Sequence, residues 1–232
     1  MKMVALNNNL YFGYPQTVPP TPPVAKNETS FIWGDPHIND PDGGTYQISA
    51  SGKFNLLQDT GVDIKGDFGV WQPKSTATVM RDVDLTIDGK KIHIDANGKT
   101  TMDGNELKDQ TFTSWGNGDQ ISKLRNGIVS IHTAEYDILI GSEATKGNAQ
   151  NKFLNLSVTT GEKGVSADGK APTGLLGETF DADTTKQTQA KQNIENYRST
   201  NTPPVPTPSQ DPFQAIIKLF QQLLNMMMQL FQ

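Results

Sequence analysis

Val83-Asp84-Leu85-Thr86-Ile87-Asp88-Gly89-Lys90-Lys91-Ile92-His93-Ile94 is the stretch that decides the fold class. Two short runs carry apolar residues at every second position and flank an Asp-Gly pair. Alternation of period two places every other side chain on one sheet face, so Ile92 and Ile94 share a face. Asp-Gly between such runs is a strong signal for a two-residue hairpin turn. The same grammar extends in both directions. Upstream lie Thr45 to Ile48, Lys53 to Leu57, Val62 to Ile64, Phe68 to Trp71 and Thr76 to Met80. Downstream lie Gln120 to Leu124, Ile128 to His132, Tyr136 to Ile140 and Phe153 to Val158. Turn markers separate them, among them Asp42-Gly43-Gly44, Thr60-Gly61, Asn97-Gly98 and Asp103-Gly104. Strands at this spacing predict an all-β sandwich or flattened barrel from Phe31 to about Asp183, within a domain of residues 31–198.

The flanks read differently. Residues 1–30 contain PQTVPPTPP at Pro15 to Pro23, which favours extended polyproline conformations and predicts a disordered tail. Residues 199–210, STNTPPVPTPSQ, form a second proline-rich linker. Residues 211–232 predict an amphipathic helix: Asp211 suits the N-cap and Pro212 the first turn. Phe213, Ile216, Ile217, Phe220, Leu223, Leu224, Met227 and Phe231 then recur at helical spacing. Its opposite face is rich in Gln and nearly uncharged, so it is expected to serve self-association or partner binding, or to pack on its own domain.

Composition narrows the function classes. Of 232 residues only 34% are hydrophobic, the formal net charge is -5, and there is no cysteine. An acidic balance argues against a nucleic-acid binder. Without cysteine there are no disulfides, zinc-thiolate sites or thiol nucleophiles. No run of eighteen apolar residues predicts a membrane span. Met1 to Leu10 has one lysine and no apolar core of signal-peptide length, so export is expected by a route that reads no classical signal, a type III route into a host cell being one such path.

Chemistry concentrates in Trp33-Gly34-Asp35-Pro36-His37-Ile38. Asp-Pro is the weakest peptide link: its nitrogen belongs to a tertiary amide, and the Asp35 carboxylate reaches its own carbonyl through a five-membered ring. Gly34 lets the backbone bend, and His37 is a proton donor near neutral pH. On residue types alone, Gly-Asp-Pro is first of all turn chemistry before a strand. Elsewhere there is no G-x-S-x-G and no phosphate loop. His93 and His132 lie in strand patterns without zinc-site neighbours. Two oxygen-rich clusters remain, Asp35/Asn39/Asp40/Asp42 and Glu178/Asp181/Asp183. Solvated acidic loops are the ordinary reading, and calcium, which accepts six to eight oxygens in loose geometry, is the functional one.

Gly34-Asp35-Pro36-His37, then Asp42-Gly43 and Tyr46, then Gly52-Lys53-Phe54-Asn55-Leu56-Leu57 resemble the start of a von Willebrand factor type D domain. Gly174-Leu175-Leu176-Gly177 followed by Phe180-Asp181 looks like that domain's closing motif. The match covers about residues 31–185. With Trp-Gly-Asp-Pro-His intact and cysteines absent, the sequence is most similar to the metal-ion-inducible autocleavage domain of secreted bacterial effectors such as rhizobial nodulation outer proteins. The resemblance implies calcium-triggered self-cleavage between Asp35 and Pro36. It also implies a metal loop pairing Asp42 with Glu178, Asp181 and Asp183, although Glu178 stands where many such domains carry asparagine. Cleavage is expected where a free tail meets the first strand, once per molecule rather than as a turnover enzyme. The rival readings are a non-cleaving calcium-dependent adhesion module of the same fold and a hydrolase acting on an external substrate.

Overall fold

The computed structural model describes residues 27–41, 43–71, 76–116, 118–145, 148–161, 170–180 and 194–199. Residues 1–26 of the expected tail, the 199–210 linker beyond Ser199 and the 211–232 helix lie outside them. The described residues form two antiparallel sheets and no α-helix.

The chain enters through β1 (Thr29–Trp33), β2 (His37–Asn39) and β3 (Thr45–Gln47). It then builds a six-stranded meander from β4 (Gly52–Asp59), β5 (Val62–Val70), β6 (Thr78–Ile87), β7 (Lys90–Asp95), β8 (Thr100–Met102) and β9 (Asn105–Leu107). It returns through β10 (Thr111–Trp115), β11 (Asp119–Lys123), β12 (Val129–His132), β13 (Tyr136–Thr145) and β14 (Asn148–Thr160), giving an eight-stranded sheet in the order β10-β11-β12-β13-β14-β1-β2-β3. The opening hairpin therefore completes a sheet whose other strands come from the far end of the domain. The Asp88-Gly89 hairpin forms as read, with φ of 44° and 80° and Val83 opposite Ile94.

Alternation on both sheets buries one face against the other. Ile64, Phe68, Val83, Leu85, Ile92 and Ile94 meet Ile32, Ile38, Ile131, Ile138, Leu156 and Val158 in one core. Two expected pairs of short strands are each a single strand. Val62 to Ile64 and Phe68 to Trp71 join in β5, and Thr76 to Met80 and Val83 to Ile87 join in β6. The register shifts at Asp67/Phe68, where a bulge bends the pair.

The Gly-Leu-Leu-Gly segment closes the sandwich by docking on β4. Leu175 N–H donates to the Asn55 carbonyl at 3.0 Å and Leu176 N–H to that of Leu56 at 2.7 Å. These carbonyls lie at the β4 irregularity between Asn55 and Leu57. Leu175 and Leu176 are fully buried. Gly174 must be glycine: its φ is +98°, and a Cβ there would stand 2.9 Å from the Leu56 carbonyl oxygen. Past the next gap, Ser199 N–H bonds the Lys53 carbonyl at 2.8 Å and the Arg198 guanidinium lies 4.9 Å from the Phe54 ring centroid.

Ordered structure begins ahead of Phe31, because β1 starts at Thr29. This corrects the expected site of cleavage. The Asp35-Pro36 bond lies after a complete strand, not between a free tail and the first strand. β1 is held on both sides, with Ile32 opposite Leu156 of β14 and Ile38 of β2.

Candidate functional site

Gly34-Asp35-Pro36 is the three-residue turn between β1 and β2, closed by the Trp33–His37 pair. Gly34 takes φ +61°, a left-handed conformation that costs other residues about 1–2 kcal/mol. Proline suits the third position because its missing N–H removes no ladder bond there. Asp35 is exposed and Pro36 is buried, so the bond between them crosses the protein surface.

Successive peptide groups around this bond are held by different parts of the eight-stranded sheet. Gly34 N–H donates to Asn155 Oδ1 of β14 at 3.0 Å. Asn155 is oriented in turn by donating Nδ2–H to Glu143 Oε2 at 2.8 Å. The Asp35 carbonyl, the acyl side of the bond, accepts from Gln47 Nε2 at 3.3 Å. The Pro36 carbonyl accepts from Ile48 N–H at 3.0 Å. His37 stands directly opposite Gln47 on β3, and its ring lies 4.8 Å from the Trp33 ring, tilted by 33°. Beside the turn, Gly34 and Asp35 border a cavity of about 260 Å³ completed by Trp71, Ala77, Val79 and Phe153. The turn thus offers an exposed carboxylate, a buried proline, a side-chain donor on the Asp35 carbonyl and an imidazole at the residue after Pro36.

The predicted metal residues fare differently. Asp42, Asp181 and Asp183 lie outside the described residues. Glu178 sits in a 3-10 turn, Gly177–Thr179, and its Oε2 accepts the Tyr197 hydroxyl at 2.5 Å. Burial and then this carboxylate raise the Tyr197 pKa far above that of a free phenol. Among the described residues no three acidic or histidine side chains converge as a metal set. The two acidic regions nevertheless share a neighbourhood. Thr179 meets Ser30 of β1 across 2.8 Å between hydroxyls, and Ser30 precedes the Phe31–Asn39 pair that leads into Asp40. Asp40 is only 5% exposed; Oδ1 accepts Gly44 N–H at 2.5 Å, and Oδ2 is buried without a hydrogen-bond partner. An orphaned, buried carboxylate oxygen on this side of the sheet fits a hard cation with oxygen ligands.

His93 and His132 lie at the surface, with His93 Nδ1 2.7 Å from Asp84 Oδ1 and His132 Nδ1 2.6 Å from Asp137 Oδ1. Sequence reasoning missed Gln47 and Asn155. Gln47 left a trace, since a hairpin centred on Asp42 sets residue 47 opposite residue 37. Asn155 left none, since only long-range pairing of β14 with β1 brings it to Gly34.

Among protein families, the model of the von Willebrand factor type D domain matches residues 31–163. No curated protein matches the chain.

Proposed function

The chain belongs to the von Willebrand factor type D domain family through residues 31–163, and from that premise we propose that it is a self-cleaving domain of the metal-inducible kind, cutting its own Asp35-Pro36 bond. One observation carries the reading: the peptide groups flanking this bond are fixed by Asn155, Gln47 and Ile48 while the Asp35 side chain stays free.

The proposed reaction follows from the residues in place. An Asp35 carboxylate oxygen attacks the Asp35 carbonyl carbon and closes a five-membered ring. Negative charge gathers on the carbonyl oxygen, where Gln47 Nε2–H donates. The carbon–nitrogen bond breaks, and the Pro36 nitrogen leaves as an amine after taking a proton from His37 or from water. Water opens the resulting cyclic anhydride, restoring the Asp35 side-chain carboxylate and leaving a new α-carboxylate. Holding the groups together replaces an encounter between molecules, an advantage that reaches about 10⁵ M in effective molarity for well-aligned pairs.

Calcium, held by Asp42 with Glu178, Asp181 and Asp183 and with the orphaned Asp40 oxygen close by, would supply the positive charge that orders the acidic loops. The test is calcium addition to purified protein, with a chelator control, followed by denaturing electrophoresis and N-terminal sequencing. Two pieces, the larger beginning at Pro36, are expected. An uncut chain in a folded, calcium-loaded sample would instead support a non-cleaving adhesion module. The effector context and the export route belong to the same proposal, and detection of the protein in culture supernatant tests them.

A further inference from the structure

Away from the scissile turn, two carboxylates from different sheets face each other. Asp88 opens the β6–β7 turn of the six-stranded sheet, and Asp119 begins β11 in the eight-stranded sheet. Asp119 is 5% exposed, and its buried Oδ2 accepts from no N–H or hydroxyl donor, the only group in hydrogen-bonding reach being the Asp88 carboxyl. The two groups converge on the space over Gly116: a Cβ built there would stand 3.7 Å from Asp88 Oδ2 and 3.8 Å from Asp119 Oδ2. Burial first, and then the charge and hydrogen bonding of Asp88, push the Asp119 carboxyl above the ordinary range. Only His132 opposes this, and its Nδ1 is engaged by Asp137. The ion pairs of the described residues involve neither Asp88 nor Asp119.

A buried carboxylate such as Asp119 requires a compensating partner, because an unpaired buried charge is costly. Asp88 is exposed, so a partner can reach the pair from solvent on its side. Hard oxygen donors with water completing the shell suit calcium, which tolerates irregular coordination. We propose that Asp88 and Asp119 hold a calcium-class divalent cation that staples the two sheets, at a site separate from the acidic loops of Asp42 and Asp181. The proposal does not depend on self-cleavage.

The test uses the full chain carrying Asp42→Ala, Glu178→Gln, Asp181→Ala and Asp183→Ala, which removes the four carboxylates assigned to the loop site. Calorimetry with calcium should still show a binding event. Terbium should report the same site by luminescence excited through tryptophan, because Trp115 is the cross-strand partner of Asp119. Adding Asp119→Asn should abolish both signals, and Asp88→Asn should weaken affinity at least tenfold. Trp115→Phe should remove the sensitised emission and leave the calorimetric affinity. Circular dichroism confirms that each variant is folded; Asp119→Asn removes a repulsion and is expected to fold. Absence of binding in the parent loop variant, or binding indifferent to Asp119→Asn, overturns the proposal. In that case the pair holds a proton, and its chelator-treated stability matches that with calcium.

Discussion

Cutting the Asp35-Pro36 bond should not release the 1–35 piece from the folded protein. The perturbation is the cleavage itself. β1 is an interior strand of the eight-stranded order, between β14 and β2, with Ile32 and Ser30 buried and Ser30 bonded to Thr179. Core strands open only near the global limit, for which about 5 kcal/mol is the low end in a small domain. That is a factor of roughly 4,000 against opening. The uncut turn holds β1 at an effective concentration on the order of 1 mM. Their quotient gives the nicked pair a Kd of roughly 0.3 µM or tighter. At about 10 µM protein the two pieces should co-elute in native size exclusion and separate only under denaturing conditions. Ile32→Ala, which opens a core cavity costing about 2–5 kcal/mol, should weaken the pair by roughly 30-fold or more and let the fragment escape. Clean loss of the 1–35 piece from a folded wild-type remainder would refute the reasoning, because it would mean that β1 adds little to the sheet.

Four further outcomes are expected. Gln47→Ala and Gln47→Glu should each slow cleavage about 10- to 100-fold, below the full cost of a buried oxyanion donor because Gln47 is exposed, with melting temperature unchanged; a calcium-started time course measures it, and wild-type rates in both would remove Gln47 from the reaction. Asp35→Ala should abolish cleavage and Asp35→Asn nearly so, whereas His37→Ala should only slow it, as read by intact mass at fixed times. Asp42→Ala and Asp181→Ala should each weaken calcium affinity by calorimetry and reduce the rise in melting temperature that calcium gives by mass action. In chelator, Asp119 should make the protein more stable as pH falls. Its folded carboxyl titrates above the ordinary 3.8, so the folded state binds the extra proton, and that stability is lost as pH rises through the folded value. Melting curves across this range should differ between wild type and Asp119→Asn, and parallel curves would show that the carboxyl pair is not coupled to folding.

Much of the sandwich was legible because its hairpins are local. Asp88-Gly89 and Asp103-Gly104 both adopt the paired positive φ that such dipeptides favour. β8 and β9, around the second of these turns, were not read as strands: Thr100–Met102 and Asn105–Leu107 are too short to display alternation. β10 escaped because Phe112 points outward, 62% exposed, so its apolar residue marks the wrong face. β5 was divided by Gly66, whose missing side chain breaks the apolar period. In the structure that gap is needed, since a Cβ at Gly66 would lie 2.9 Å from the Leu56 side chain. The site divides along the same line. Gly34, Asp35, Pro36 and His37 act within one turn and could be read in order. Asn155 and Gln47 depend on which strands pair, and the β1–β14 pairing closes a loop of more than a hundred residues that no local pattern encodes.

For the proposed calcium-triggered cleavage, the hairpin also separates two roles that residue types leave merged, a charge that polarises the Asp35 carbonyl and a charge that orders the loop. Asp35 stands at the turn joining β1 to β2, and Asp40 at the opposite end of β2. Four residues of extended chain from Pro36 to Asp40 span about 13 Å at roughly 3.3 Å each. The loop from Asp40 to Gly44, closed by Asp40 N–H to the Gly44 carbonyl and Gly43 N–H to that of Asp40, continues away from the turn. A cation held at that loop is therefore too far to touch the Asp35 carbonyl. The remaining connection is mechanical. The loop ties β2 to β3, β3 carries Gln47 opposite His37, and Gln47 with Ile48 grips the carbonyls on both sides of the bond. Thr78 Oγ1 holds the Ile48 carbonyl at 2.6 Å, anchoring this segment to β6. Order in the loop fixes the register of β3, and the register of β3 decides whether Gln47 meets the carbonyl oxygen. A one-residue slip would turn Gln47 to the other face and withdraw its donor from the bond.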